Sequence, residues 1–116
     1  RLPSAADAVV SADPGDADDA EAAARIGRLR RRVRAIRTFG STALSLAYLA
    51  AGRLDGVLQV NGLQSVDVAA GALVATLAGA RVTAADGRPL LRSDALTDDA
   101  GIAAGRPAVH RLLVRR

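Results

Sequence analysis

At 116 residues, half of them apolar, the chain can enclose one modest core and is too short for two. It has no cysteine, which removes disulfide frameworks and thiolate metal sites, and only one histidine, His110, which leaves histidine-pair metal motifs and a Ser-His-Asp triad nothing to build on. The formal charge of +4 rests on sixteen basic residues, all arginine, and with one Phe, one Tyr and no Trp there is no aromatic platform for stacked bases.

Residues 7–12 form a short apolar run that stops at Asp13-Pro14-Gly15, a strand followed by turn punctuation. Acidic residues from Asp16 to Glu21 and arginines towards Arg32 match the two ends of a helix dipole, which predicts a helix from about Ala17 to Arg31. The arginines at 25, 28, 30, 31, 32, 34 and 37 read as a solvated helix end leading into a strand, Val33 to Thr38, rather than as a nucleic-acid site. After Gly40-Ser41-Thr42 comes a segment with leucines at 44, 46 and 49 and alanines at 43, 47, 50 and 51. It has hardly any polar face, so the expected helix is covered on nearly every side and ends at Gly52. Residues 54–60 read as a strand and Asn61-Gly62 as a turn.

Ser65 is placed to cap a second buried helix, Val66 to Ala78, whose only charged residue is Asp67 at its start. Arg81 to Thr83 reads as a short strand closed by the turn 85–89, and Gly101 to Ala104 as a further strand. Pro107 opens a last helix through about Val114. The alternation predicts an α/β sandwich, a mixed sheet with helices on both faces, as a single domain over 1–116. The apolar run from Val66 to Ala80 carries Asp67 and falls short of the roughly 20 residues that span a bilayer, so no membrane segment is expected. Residues 1–12 lack a secretory pattern, and a cytoplasmic location is the expectation.

Two linked segments are more specific than this anonymous outline. The run from Arg37 to Gly56 contains Arg37, Gly40-Ser41, Ala43, Leu49-Ala50 and Gly52-Arg53-Leu54-Asp55-Gly56. It resembles the R-x-x-G-S/T-x-A…L-A…A-x-G-R-x-D-G segment of the inositol monophosphatase family. At about the family's distance follows Asp67-Val68-Ala69-Ala70-Gly71-Ala72-Leu73, which resembles the signature W-D-x-A-A-G-x-L. Weaker likeness extends over Leu2 to Pro14 and over Gly101 to Gly105 with His110 and Leu112, so nearly the whole chain resembles the family's carboxyl-terminal domain. The family fold is a five-layer αβαβα sandwich, of which this chain is then roughly the second half; the amino-terminal half, with its acidic metal motifs, is not in the sequence.

The resemblance implies a magnesium-dependent phosphomonoesterase acting on inositol phosphate or a related sugar or polyol phosphate. Asp67 matches the aspartate that binds magnesium at a helix start, a hard oxygen ligand for a hard cation. Gly40, Ser41 and Thr42 match positions that contact the alcohol part of the substrate, and Gln59 stands where the family has a glutamate that contacts a polyol hydroxyl. Arg37 is expected to be a structural ion-pair partner, Asp55 to brace its turn, and His110 to be a surface helix residue. The signature departs from the family at Val66 for tryptophan, at Gln59, at Leu77 and Ala80 within the usual E-A-G-G, and by one extra residue between Asp55 and Asp67. A second function class therefore stands beside the enzyme: a degenerate, non-catalytic α/β module that acts through assembly, as family members commonly dimerise. The 116-residue chain alone is expected to be inactive.

Overall fold

Strand and helix alternate along the chain, and the computed structural model describes them over residues 4–15, 18–62, 65–90 and 101–115, with the backbone alone at 65–67. A 3-10 turn (Ala5–Asp7) leads into β1 (Val9–Asp13), α1 (Ala20–Arg30), β2 (Ala35–Arg37), α2 (Thr42–Ala50) and β3 (Gly56–Gln59). Then come α3 (Ser65–Leu77), β4 (Arg81–Ala84), β5 (Ile102–Gly105) and α4 (Pro107–Val114). Every element expected from the sequence is present, with ends displaced by a residue or a few. The expected likeness at Leu2 and the proposed helix start at Ala17 lie outside the described residues.

The strands form one mixed sheet in the order β2-β1-β3-β5-β4. β1 pairs in parallel with both β2 and β3, whereas β5 runs antiparallel to β3 and β4. Strand parity sorts the side chains into two cores. Val10, Ala12, Leu58 and Ala103 face α1 and α4, where they meet Leu29, Val109 and Leu113. Val57, Ile102 and Ala104 face α2 and α3, where they meet Leu46, Val68, Ala72 and Ala75. β5 is buried along its whole length, which explains its run of small apolar residues with no polar alternation.

A right-handed crossover from β1 through α1 to β2 puts α1 on one face. The return from β2 through α2 to β3 reverses direction, so the same handedness puts α2 on the other face. β1 and β3 are therefore the strands between which the chain switches sides, and open parallel sheets bind ligands at the carboxyl ends of such a pair.

Two expectations about burial need correction. α2 is not covered on nearly every side: Ser45 and Leu46 are buried, while Leu44 is 41% exposed. α3 buries Val68, Ala72 and Ala75 but leaves Leu73, Val74 and Leu77 exposed at 60%, 51% and 79%. The two helices pack side by side, with Gly71 so near α2 that a Cβ there would stand 2.8 Å from Leu46 Cδ1. The described residues supply a sheet for only one side of the pair, and Leu44, Leu73, Val74 and Leu77 stand exposed on its outer face.

His110 also differs from expectation. It lies on the buried stripe of α4 with Val109 and Leu113, is 3% exposed, and its Nε2 sits 2.8 Å from Thr83 Oγ1. Burial first, and the charge of Arg81 second, hold its imidazole below the ordinary value of 6.5. The unfolded chain therefore takes up a proton as the pH falls through about 6.5 while the folded chain resists it, so the stability linked to neutral His110 is complete above that pH and is lost below it. We expect the urea midpoint of the parent to fall between pH 7 and pH 5.5, and His110→Gln to remove most of that slope. An unchanged slope in the variant assigns the acid sensitivity elsewhere.

Candidate functional site

The carboxyl ends of β1 and β3 meet the amino end of α2 around a recess of about 210 Å³, open mouth included. Ser11, Asp13, Phe39, Gly40, Ser41, Thr42, Ser45 and Gln59 contribute to its walls. Each arrives there for a local reason. Ser11 and Asp13 share the β1 face that looks towards α2, and Asp13 is the register partner of Gln59 on β3. Gly40 adopts φ 72°, a left-handed conformation that glycine enters without strain, and so turns the chain from β2 into α2. Ser41 caps α2, its Oγ accepting from the Leu44 amide at 3.2 Å. Thr38 Oγ1 donates to the Ala12 carbonyl at 2.9 Å and ties the end of β2 to β1. Phe39 meets the Tyr48 ring edge-on, centroids 5.4 Å apart, and closes one side.

Gly40, Ser41, Thr42 and Gln59, singled out in the sequence, thus line one recess. Their polar groups are partly engaged with one another: Thr42 Oγ1 donates to Gln59 Oε1, and Gln59 Nε2 donates to the Asn61 carbonyl at 2.8 Å. Asn61 Nδ2 in turn donates to Asp19 Oδ2 at 2.6 Å, and Asp19 Oδ1 caps α1 through the Ala22 amide at 2.9 Å. Three polar wall residues were missed by sequence reasoning. Ser11 and Ser45 are buried with their hydroxyls 2.8 Å apart, and Asp13 is the one charged side chain among the described residues that line the recess. The alternation through β1 carried the signal for Ser11 and Asp13, but the segment ending in Asp13-Pro14-Gly15 reads first as turn punctuation.

Asp67 falls in the first turn of α3, and its side chain, with those of Ser65 and Val66, lies outside the described residues. The topology still says where α3 starts. β2 and β3 both run parallel to β1, so α2 and α3, which follow them, begin at the same edge of the sheet. Both helices also pack into the same core, on the same face. Asp55 does brace a junction: its Oδ2 accepts from the Val9 amide at 2.8 Å, tying the start of β3 to β1. Arg37 does not form the expected ion pair among the described residues; it is exposed and donates to the Ile36 carbonyl at 3.3 Å. No three His, Asp or Glu side chains come together to hold a metal among the described residues. These side chains by themselves do not fit a magnesium site, and the chemistry they offer is binding and orientation.

An α/β domain with a polar recess at the switch point of its sheet is a ligand-binding architecture, and comparison with known proteins gives it a family. Residues 3–116 match the model of the inositol monophosphatase family. The chain is 39% identical over 83 residues to an inositol-1-monophosphatase of Mesorhizobium japonicum, covering 72% of this chain and 29% of that protein. It is 42% identical over 69 residues to a fructose-1,6-bisphosphatase of Pyrococcus furiosus, covering 59% of this chain and 27% of that protein. The crystal structure of the extragenic suppressor protein suhB of Bartonella henselae superposes with a TM-score of 0.83 at 32% identity, over 98% of this chain and 42% of that one. The chain belongs to the inositol monophosphatase family, a family of phosphatases, and its layered fold is that family's. It spans less than half the length of each of these relatives.

Proposed function

We propose that this chain is the carboxyl-terminal part of a magnesium-dependent phosphomonoesterase that hydrolyses inositol phosphate or a related sugar or polyol phosphate. The observation that carries the reading is the common origin of α2 and α3: the recess and the turn that holds Asp67 share one edge and one face of the sheet. In this reading Gly40, Ser41, Thr42 and Gln59 hold the alcohol part of the substrate, and Asp67 supplies one carboxylate to the metal. A site of that kind takes further carboxylates, water and substrate phosphate to complete it. An amino-terminal half supplies them, and it also covers the apolar outer face formed by Leu73, Val74 and Leu77 on α3 and Leu44 on α2.

The altered signature keeps a second reading in view. Gln59 is neutral and spends its amide on Thr42 and Asn61, as a wall residue of a non-catalytic module can.

One experiment separates the two. A protein extended with the coding sequence upstream of Arg1 should release phosphate from inositol monophosphate in a magnesium-dependent manner, and the 116-residue chain should not. In the extended protein, Asp67→Asn keeps shape and removes charge; a metal contributes several kcal/mol to transition-state stabilisation, so kcat/KM should fall about 100-fold. Undiminished turnover in the variant rejects Asp67 as a metal ligand. An extended, folded protein with no magnesium-dependent activity favours the module.

A further inference from the structure

Among the described residues that line the recess, Asp13 alone carries a charge. Its Oδ1 accepts from the Gly15 amide at 2.8 Å, which fixes the plane of the carboxylate, and Oδ2 has no hydrogen-bond partner among the described residues. The remaining polar side chains of the wall, Ser11, Ser41, Thr42, Ser45 and Gln59, are neutral. Ser11 and Ser45 add a donor. Two hydroxyls carry two hydrogens, the contact between them uses one, and neither oxygen makes a second side-chain hydrogen bond among the described residues. Both serines are about nineteen-twentieths buried or more, at 5% and 3% exposure, so that second hydrogen is a directed group at the back of the recess.

We propose that Asp13 is the specificity-determining residue of the recess. Its Oδ2 accepts the hydroxyl hydrogen of a neutral polyol, the Ser11–Ser45 pair donates to a hydroxyl oxygen beside it, and a second anionic substituent at that position is rejected. This deepens the reading of the recess as the alcohol pocket and rests on it. The amide of Gln59 is engaged with Thr42 and Asn61, and the carboxylate of the described recess stands on the neighbouring strand, at the register partner of Gln59. A fructose bisphosphate carries phosphate at both ends, and an acidic wall penalises whichever end enters the recess. A monophosphate of a neutral polyol meets no such repulsion.

The test needs only the labelled 116-residue chain and two six-membered ring compounds of similar size, neutral myo-inositol and anionic quinate. Titration followed by amide NMR should show saturable shifts at Ser41, Thr42 and Gln59 with myo-inositol, and binding of quinate at least tenfold weaker. Asp13→Asn keeps the acceptor for the Gly15 amide and removes the charge; it should weaken myo-inositol binding about 10- to 100-fold, the range for a hydrogen bond to a charged group, and narrow the gap to quinate. Equal affinities for the two compounds in the parent overturn the role of Asp13, as does a variant that keeps its affinity and discrimination within twofold. Should the variant lose its dispersed spectrum, the parent comparison decides alone. No saturable shift at the three amides with either compound overturns the alcohol-pocket reading, and the role of Asp13 with it.

Discussion

Gly101→Ala should lower the stability of the chain by about 3 kcal/mol or more, a large share of the roughly 5–15 kcal/mol that holds a domain folded. Gly101 enters β5 from the side of β3, and a Cβ on it overlaps the carbonyl groups of Gln59 and Val60. Those are backbone atoms held in the sheet, so no rotamer change can relieve the clash. The register that would have to shift joins Gln59 to Ile102, and Gly101 also accepts the Ala85 amide at 3.1 Å, so the strain reaches both neighbours of β5 and one wall of the recess. Gly27 gives the control. It lies within α1 with nothing near a built Cβ, and alanine there should add about 0.5–1 kcal/mol through helix propensity alone. Thermal melts of the two variants should move in opposite directions. A Gly101→Ala protein that melts with the parent shows that the β3 end yields without cost, and the packing argument fails.

The difference between these glycines could not be read in the sequence, and it illustrates what was legible. Local signals carried the elements. Acidic and basic ends marked α1, Gly52 ended α2, Pro107 opened α4, and strand-length apolar runs separated by Asp, Asn and Gly turns marked β1, β3 and β5. What failed depended on which neighbour a face meets. The all-apolar helices α2 and α3 were expected to be covered because a pattern records that a surface is apolar, not which chain supplies its cover. His110 was expected on the surface of the last helix, yet its spacing from Leu113 puts it on the buried stripe of α4. In the recess, the motif pointed to Gly40, Ser41, Thr42 and Gln59, residues adjacent in sequence to a recognisable pattern. Asp13 and Ser11 come from a strand 30 residues earlier, joined to them only through parallel pairing, and pairing partners are set by the fold rather than by any local spacing.

Arg25 shows the same limit within the arginine run, and it sets the second large effect. It was grouped with the solvated arginines, but it is 6% exposed, and its Nη2 donates to the Ala85 carbonyl at 2.5 Å and to the Leu113 carbonyl at 2.8 Å. One guanidinium thereby joins α1 to the turn after β4 and to the last turn of α4, where helix carbonyls lack an intrahelical partner. Arg25→Met preserves most of the aliphatic stem and leaves both carbonyls without this donor. Each of the two unsatisfied carbonyls costs about 1–3 kcal/mol, while release of a buried cation gives part of that back, so the net loss should be about 2–3 kcal/mol. At roughly 4 °C per kcal/mol the melting temperature should drop by about 8–12 °C. Arg25→Lys restores charge but not the planar reach to two carbonyls, and should recover less than half of the loss. The exposed arginine Arg30 provides the comparison, since Arg30→Met should change stability by less than about 0.5 kcal/mol. Equal melting temperatures for Arg25→Met and Arg30→Met mean that the guanidinium of Arg25 is no more than a surface charge folded inward, and that α1 and α4 are held together by the Leu29, Val109 and Leu113 cluster alone.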